Sequence, residues 1–387
     1  MHCTLLGVLI AATMTGHAGI AAAQSPAQPV SRTTEVPFMT RDGYPLFGKL
    51  TLPSTGGVRA VVIYAQTAEG MTVDMKRPLS DSTSFNYFDL YADTLPTMSV
   101  GFFRYEGRGV RMGDKPPRFE AIDTTIFNTS TLDNKVSDLL AAVRIVRQQP
   151  GVGDAPIWLM GASEGTLLIA EAAARAPGEV RGLLMYGVLA QNLRETFRYI
   201  MSDGAFLNYS RFFDADKNGT VTPAEFEADP RRYRAQALRN APFSALDRNG
   251  DSVFTVADMK LMTKVYLDAI DNGNFPVLDA WARSSAGVST PSNWFADHFA
   301  HADMWSFVSG LDMPIALFHG GMDINTPIDG VRALEARAKE AGRTQMRFFY
   351  FDDLDHSLGL SQYFVRGRLP AGHRAIFDYI RSVTAAR

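Results

Sequence analysis

The chain has 387 residues, 46% of them hydrophobic, and a formal net charge of −3 at neutral pH. That length holds one large domain with an insertion, or two domains, with apolar residues enough for a substantial core. The slightly acidic balance gives no electrostatic case for nucleic acid, and after the N-terminus no apolar run is long enough to span a membrane.

The N-terminal segment reads as a targeting sequence. Leu5 to Met14 is a short apolar stretch, and Ala21-Ala22-Ala23 before Gln24 fits a small-residue cleavage site. The expected signal peptide is residues 1–23, and the expected location is secreted or periplasmic. The single cysteine, Cys3, falls inside it, so the mature chain would hold no disulfide and no cysteine metal site. Residues 24–35 are polar and contain proline, and are expected to form a mobile lead-in.

Val36–Thr40 and Leu46–Leu52 flank a turn at Arg41-Asp42-Gly43 and read as an antiparallel hairpin. Ala60–Ala65 and Val100–Tyr105 are apolar strands, the second followed by the loop Glu106-Gly107-Arg108-Gly109. Thr131–Gln149 has helical spacing, with Val136, Leu139, Leu140, Val143 and Val146 on one face, and Pro150-Gly151 ends it. Ile157–Met160, Val180–Leu189, Met313–His319 and Met346–Phe351 complete the strands, and Ala371–Val383 reads as a closing helix. Largely apolar strands alternating with helices imply an α/β fold with a mostly parallel sheet covered on both faces. Ligands on such sheets bind at the carboxyl ends of strands.

Gly161-Ala162-Ser163-Glu164-Gly165 follows the strand Ile157–Met160 and precedes a stretch from Thr166 to Ala174 free of Gly and Pro. A G-x-S-x-G on a sharp strand-to-helix turn lifts its serine above the sheet edge, and the two glycines let strand and helix pass closely. The helix N-terminus then favours developing negative charge. An ordinary serine in a glycine-rich turn is the plainer alternative.

Three further segments join this one in chain order: Phe103-Arg104-Tyr105-Glu106-Gly107-Arg108-Gly109, Phe318-His319-Gly320-Gly321-Met322-Asp323 with Thr326-Pro327, and Asp355-His356-Ser357-Leu358. As a set, the four resemble the α/β-hydrolase fold in its esterase and serine-aminopeptidase-like branch. The likeness covers residues 36–190 and 303–387, which it implies are the hydrolase core, and leaves 191–302 as an insertion. It implies a triad in the order Ser, acid, His: Ser163 as nucleophile, Asp323 as orienting acid and His356 as base. Of the seven histidines only His356 and His373 follow Asp323. His373 is expected on a solvated helix face, and Asp329 is the alternative acid. The oxyanion hole would use the N–H of Glu164 and of Thr67, with Gln66 as rival donor. Here the chain departs from the family, which places His-Gly where Ala65-Gln66 stand.

The insertion carries its own signal. Asp214, Asp216, Asn218, Thr220, Thr222 and Glu225 occupy the ligand positions of a twelve-residue EF-hand calcium loop, with Gly219 at the sharp turn. A second copy starts thirty-three residues later: Asp247, Asn249, Asp251, Val253 by its carbonyl, Thr255 and Asp258. Ser252 replaces the turn glycine and Asp258 is one methylene shorter than Glu, so a degenerate loop kept for pairing is the alternative there. Val221 and Phe254 are expected to meet between the loops. Within the hydrolase resemblance, residues 191–302 become a helical cap over the active site, stiffened by one or two structural Ca2+ ions. Trp281, Trp294, Phe295, Phe299, Trp305 and Phe307 would pack the cap or line a pocket. His298 and His301 lack further metal ligands and read as satisfied polar residues.

These expectations combine into a serine hydrolase acting on a small-molecule ester or similar acyl compound, without a redox or organic cofactor. An amide- or peptide-cleaving enzyme of the same chemistry is one alternative. A non-catalytic calcium-binding module on a hydrolase scaffold is another.

Overall fold

The computed structural model describes residues 30–80, 82–286 and 290–385. The expected signal peptide lies outside these residues. Eight strands form the main sheet: β1 (Ser31–Met39), β2 (Pro45–Pro53), β3 (Ala60–Tyr64), β4 (Val100–Tyr105), β5 (Ile157–Ala162), β6 (Gly182–Tyr186), β7 (Ile315–Gly320) and β8 (Met346–Phe351). Their spatial order is β1-β2-β4-β3-β5-β6-β7-β8. β1 and β2 form an antiparallel hairpin, and β2 pairs antiparallel with β4. All pairings from β4 through β8 are parallel.

The lead-in expected over residues 24–35 does not extend past Val30, because Ser31 already pairs with Pro53; residues 24–29 lie outside the described residues. Residues 32–35 are polar and exposed, so composition alone does not mark them as strand. At a sheet edge the backbone pairs with β2 while such side chains stay in water.

The inner strands are apolar on both faces because both are covered. On one face Val61, Ile63, Leu159, Leu183 and Leu317 pack with Val136, Leu139 and Val143 of α1 (Leu132–Arg147). Thr131 caps that helix by accepting from Asn134 N–H. The adjoining α2 (Glu164–Arg175) begins directly at the Ser163 turn. On the other face Val62, Tyr64, Met160, Leu184 and Phe318 meet Ile376, Phe377 and Ile380 of the last helix, Ala371–Thr384.

Between β6 and β7 the chain is helical. It includes α3 (Leu193–Ile200), α4 (Asp203–Phe213), α5 (Pro223–Ala228), α6 (Val256–Met262) and α7 (Trp294–Phe299). Phe206, Phe213, Val221, Phe226, Phe254 and Met259 make a separate apolar cluster there. Among the described residues no helix is long and apolar enough to cross a membrane.

Candidate active site

Ser163, Asp323 and His356 follow β5, β7 and β8, at the carboxyl ends of parallel strands separated only by β6. Ser163 sits at φ 55°, ψ −127°, outside the regions an L-residue prefers. The turn is held by Ser163 N–H to Tyr186 O at 3.2 Å and by Thr166, whose hydroxyl donates to Ser163 O at 2.7 Å. Gly161 is required sterically, and Gly165 is closely packed. A Cβ on Gly161 would lie 2.3 Å from Gly165 O, and one on Gly165 would lie 3.0 Å from Gln66 O.

His356 Nδ1 lies 2.7 Å from Asp323 Oδ2. Asp323 is buried, and its other oxygen accepts the N–H groups of Asn325 and Thr326 at 2.8 and 2.9 Å. Thr326 Oγ1 donates to Oδ2 at 2.6 Å. Burial opposes ionisation of this carboxyl, but His356 and these donors outweigh it and hold it down at about 2. For His356, burial pushes the imidazole down, and the Asp323 carboxylate more than reverses that, leaving it above its ordinary value. With Nδ1–H donating to Asp323, the lone pair of Nε2 is left for proton transfer. Gly187 (φ +54°) underlies the ring: a Cβ there would come within 2.9 Å of Nδ1.

The alternative acid, Asp329, is 87% exposed and faces Arg332. Asp355 turns back onto its own loop and accepts from Ser357 N–H and Gly359 N–H.

His373 is not on a solvated face, as expected from its polar neighbour Arg374. It is fully buried. Its Nε2 lies 2.9 Å from Ser357 O and its Nδ1 3.2 Å from Tyr91 OH. Donating at Nε2 and accepting at Nδ1 requires the neutral ring, and burial pushes it down to about 4. His373 thus braces the loop that carries His356. His319, also buried, does the same for the acid loop: its Nδ1 accepts Val188 N–H at 3.1 Å and its Nε2 lies 3.2 Å from Thr326 O. Tyr199 of α3 was not singled out from sequence. Its hydroxyl donates to Asp323 O at 2.7 Å, so the helical segment touches the acid loop directly.

Glu164 is the first residue of α2, so its N–H is one of the donors a helix start leaves unused. After β3, the Gln66 side chain clasps its own loop, donating to Tyr105 O and accepting Met71 N–H at 2.7 Å. Gln66 O faces Gly165. The Thr67 N–H has no partner among the described residues, and Thr67 Oγ1 is buried without one. The Gln66 N–H likewise has no partner among the described residues, so the lack of a partner does not separate Thr67 from Gln66 as the second donor.

In the helical segment, Asp214, Asp216 and Glu225 each bring a carboxylate oxygen within 4.8 Å of the others. Asp214 accepts Gly219 N–H at 3.0 Å, Asn218 Oδ1 accepts Thr220 N–H at 2.8 Å, and Gly219 takes φ +85°. In the second loop Asp247 accepts Ser252 N–H at 3.1 Å, and buried Asp258 accepts Arg248 N–H at 2.8 Å. Asn249 and Asp251 are joined by a hydrogen bond of 2.9 Å, and Val253 N–H donates to Asp251 at 3.1 Å. Ser252 adopts φ +69°, the conformation for which glycine is the easier residue. Val221 and Phe254 pair antiparallel between the loops, with hydrogen bonds of 3.0 and 2.8 Å. The first loop thus gathers hard oxygen donors of the kind suited to Ca2+, whereas Asp247, Asp251 and Asp258 of the second loop do not bring three carboxylate oxygens equally close together.

Of the aromatic residues, Trp294 and Phe295 are buried and the ring of Phe197 packs against both. His298 Nδ1 lies 2.9 Å from Trp294 O.

No protein-family model matches this chain, and no curated protein sequence matches it. Among solved structures it is similar to a lipase in its open form, at 15% identity, TM-score 0.46, covering 92% of this chain and 100% of that one. It is also similar to brefeldin A esterase, a bacterial homologue of human hormone-sensitive lipase, at 15% identity, TM-score 0.47, covering 95% and 80%. A third neighbour is the Pyrococcus horikoshii acylaminoacyl peptidase, at 11% identity, TM-score 0.46, covering 91% of this chain and 41% of that one.

Proposed function

We propose that this protein is a serine hydrolase that cleaves a carboxylic ester through an acyl-enzyme on Ser163, and that calcium stabilises its helical insertion. The observation that carries the reading is the 2.7 Å pairing of His356 with buried Asp323, at strand ends beside the strained Ser163 turn. His356 Nε2 takes the proton as Ser163 Oγ attacks the ester carbon. Glu164 N–H and Thr67 N–H receive the oxyanion. The tetrahedral species collapses, breaking the bond to the alcohol, and His356 returns the proton to that oxygen. Water, deprotonated by His356, then attacks the acyl carbon and frees Ser163 with the acid product.

Asp214, Asp216, Asn218, Thr220 and Glu225 would hold one calcium ion; Asp247, Asn249, Asp251, Val253 and Asp258 would hold a second only with their carboxylates drawn closer together. Bound calcium supplies counter-charge that ties loop to helix, and no chemical step runs through it. Secretion or periplasmic export fits this reading, because calcium is abundant outside the cytosol. A panel of p-nitrophenyl esters set against aminoacyl anilides tests it. Turnover of the esters, lost in Ser163→Ala, is expected. Turnover of the anilides alone would move the protein to the amide-cleaving class.

A further inference from the structure

The residue after the nucleophile is a glutamate whose side chain is 2% exposed. Lys135 of α1, 6% exposed, places Nζ 2.7 Å from Glu164 Oε1. The same Nζ lies 3.0 Å from Thr67 O and 3.5 Å from Ala68 O. An ammonium has three protons and no acceptor, and these three oxygens account for them. On the far side, Trp294 Nε1–H donates to Glu164 Oε2 at 3.1 Å. His298 Nε2 stands 3.2 Å from Oε1, off the line of a hydrogen bond. One residue before it on α7, Asp297 accepts Leu132 N–H at 2.7 Å, at the start of the helix that bears Lys135.

Removing two charges from water is costly, and apolar side chains of similar size would pack as well. The position of the pair suggests what the charges are for. Thr67 O and the Thr67 N–H lie on adjacent peptide planes joined at the Thr67 Cα, so anchoring Thr67 O restrains the plane that carries the N–H. Gly70 N–H, at 3.2 Å from Thr67 O, adds a second anchor. The other end of the ion pair sits on Glu164, whose own N–H is the first oxyanion donor. Burial alone would hold the Glu164 carboxyl high, but Lys135 and His298 bring it down to about 2, so it stays ionised throughout the working range of an esterase.

We propose that Lys135 and Glu164 are positioning residues that lock the two halves of the oxyanion hole to each other, and that Trp294 couples the seating of the helical insertion to that lock. This rests on the Ser163 acyl-enzyme reading. Preorganised donors aimed at an oxyanion act only if they do not have to move during reaction. The pair supplies that rigidity without touching substrate.

The test uses the full-length, calcium-loaded protein and the variants Lys135→Met, Glu164→Gln and Trp294→Phe. The readouts are kcat and KM on p-nitrophenyl butyrate, inhibition by an alkyl boronic acid, and labelling by a fluorophosphonate. The boronate forms a tetrahedral adduct on a serine and places an oxygen in the hole. Lys135→Met is expected to lose about 10²–10³-fold in kcat, the scale of an oxyanion donor, with KM changed less than about threefold. Boronate affinity should fall in parallel, while labelling of Ser163 still reaches completion, only more slowly. Glu164→Gln should fall between Lys135→Met and the parent, and Trp294→Phe should lose about three- to tenfold in kcat. A folded Lys135→Met with kcat within threefold of the parent, or with boronate affinity unchanged, overturns the proposal. So does a lowered Tm as the only effect. If the single variant does not fold, the double variant Lys135→Met/Glu164→Met leaves no lone charge and decides the matter on the same readouts. Failure of the parent itself to label at Ser163 would instead sink the acyl-enzyme reading, and this proposal with it.

Discussion

The acidic side chains around the proposed triad and those of the two insertion loops are held in opposite ways. In the core, carboxylates meet basic side chains supplied by the chain. Asp323 has His356 at 2.7 Å, Glu164 has Lys135 at 2.7 Å, and Asp138 has Arg108 at 2.6 Å. In the insertion, Asp214, Asp216, Glu225, Asp247, Asp251 and Asp258 accept from backbone N–H groups and from Asn or Thr side chains. Among the described residues, none of these six has a Lys, Arg or His nitrogen within 4.0 Å. The core balances its charge internally, so its geometry should answer to mutation. The insertion gathers negative charge without a counter-charge, so it should answer to calcium in solution.

The sharpest break of that contrast lies in the core. Ser163→Ala should lower kcat by about 10⁴–10⁶-fold while leaving the calcium response of the Tm unchanged. Steady-state ester hydrolysis and thermal melts with and without chelator measure both. Asp323→Asn comes next, at about 10³–10⁴-fold, because it leaves His356 in the wrong tautomer.

The Asp323 pairing also sets a pH dependence. A raised His356 keeps its proton to higher pH, so kcat/KM should rise through a value above 6.5 and then level off. Asp323→Asn removes the cause of the rise and should move this limb to lower pH. The stability contribution of the same imidazole runs the other way. It is fully present below 6.5 and is lost as pH rises through the folded value. Asp323 contributes above its ordinary value of 3.8, and that contribution is lost as pH falls through about 2.

Gly187→Ala should cost about 10–100-fold in kcat, since its Cβ would press on Nδ1 at a backbone angle L-residues avoid. Its expected signature is a kcat loss with KM near the parent value. Calcium removal has the smallest expected effect on rate and the clearest on stability. A site filled at a hundred times its Kd contributes about 2.7 kcal/mol, so chelation should lower the Tm by several degrees. It should reduce kcat by less than about tenfold, through Tyr199 and Trp294. An unchanged Tm would remove calcium from the account and leave the triad standing.

The parts legible in the sequence are those where the backbone dictates the residue. Gly161 is needed because strand and helix nearly touch, Gly165 sits close against Gln66 O, and Gly219 is needed because the loop turns at positive φ. The strands were legible because burial on both faces leaves continuous apolar runs. Contacts made by side chains across long stretches of chain were not legible. Lys135 meets Glu164 29 positions away, Trp294 reaches it from 130, and His373 meets Tyr91 across 282. Nothing local distinguishes a lysine on an amphipathic helix that ends buried from one that ends in water. The polar start of β1 was not legible either, because an edge strand needs no apolar side chains to pair.

The claim on which the rest depends is that Ser163 is an activated nucleophile. Intact-mass measurement of the calcium-loaded protein after exposure to a fluorophosphonate tests it directly. The account predicts one phosphonyl group per chain, mapped to Ser163, absent from Ser163→Ala and slowed in Asp323→Asn. A parent protein left unmodified, or modified equally in Ser163→Ala, would contradict it.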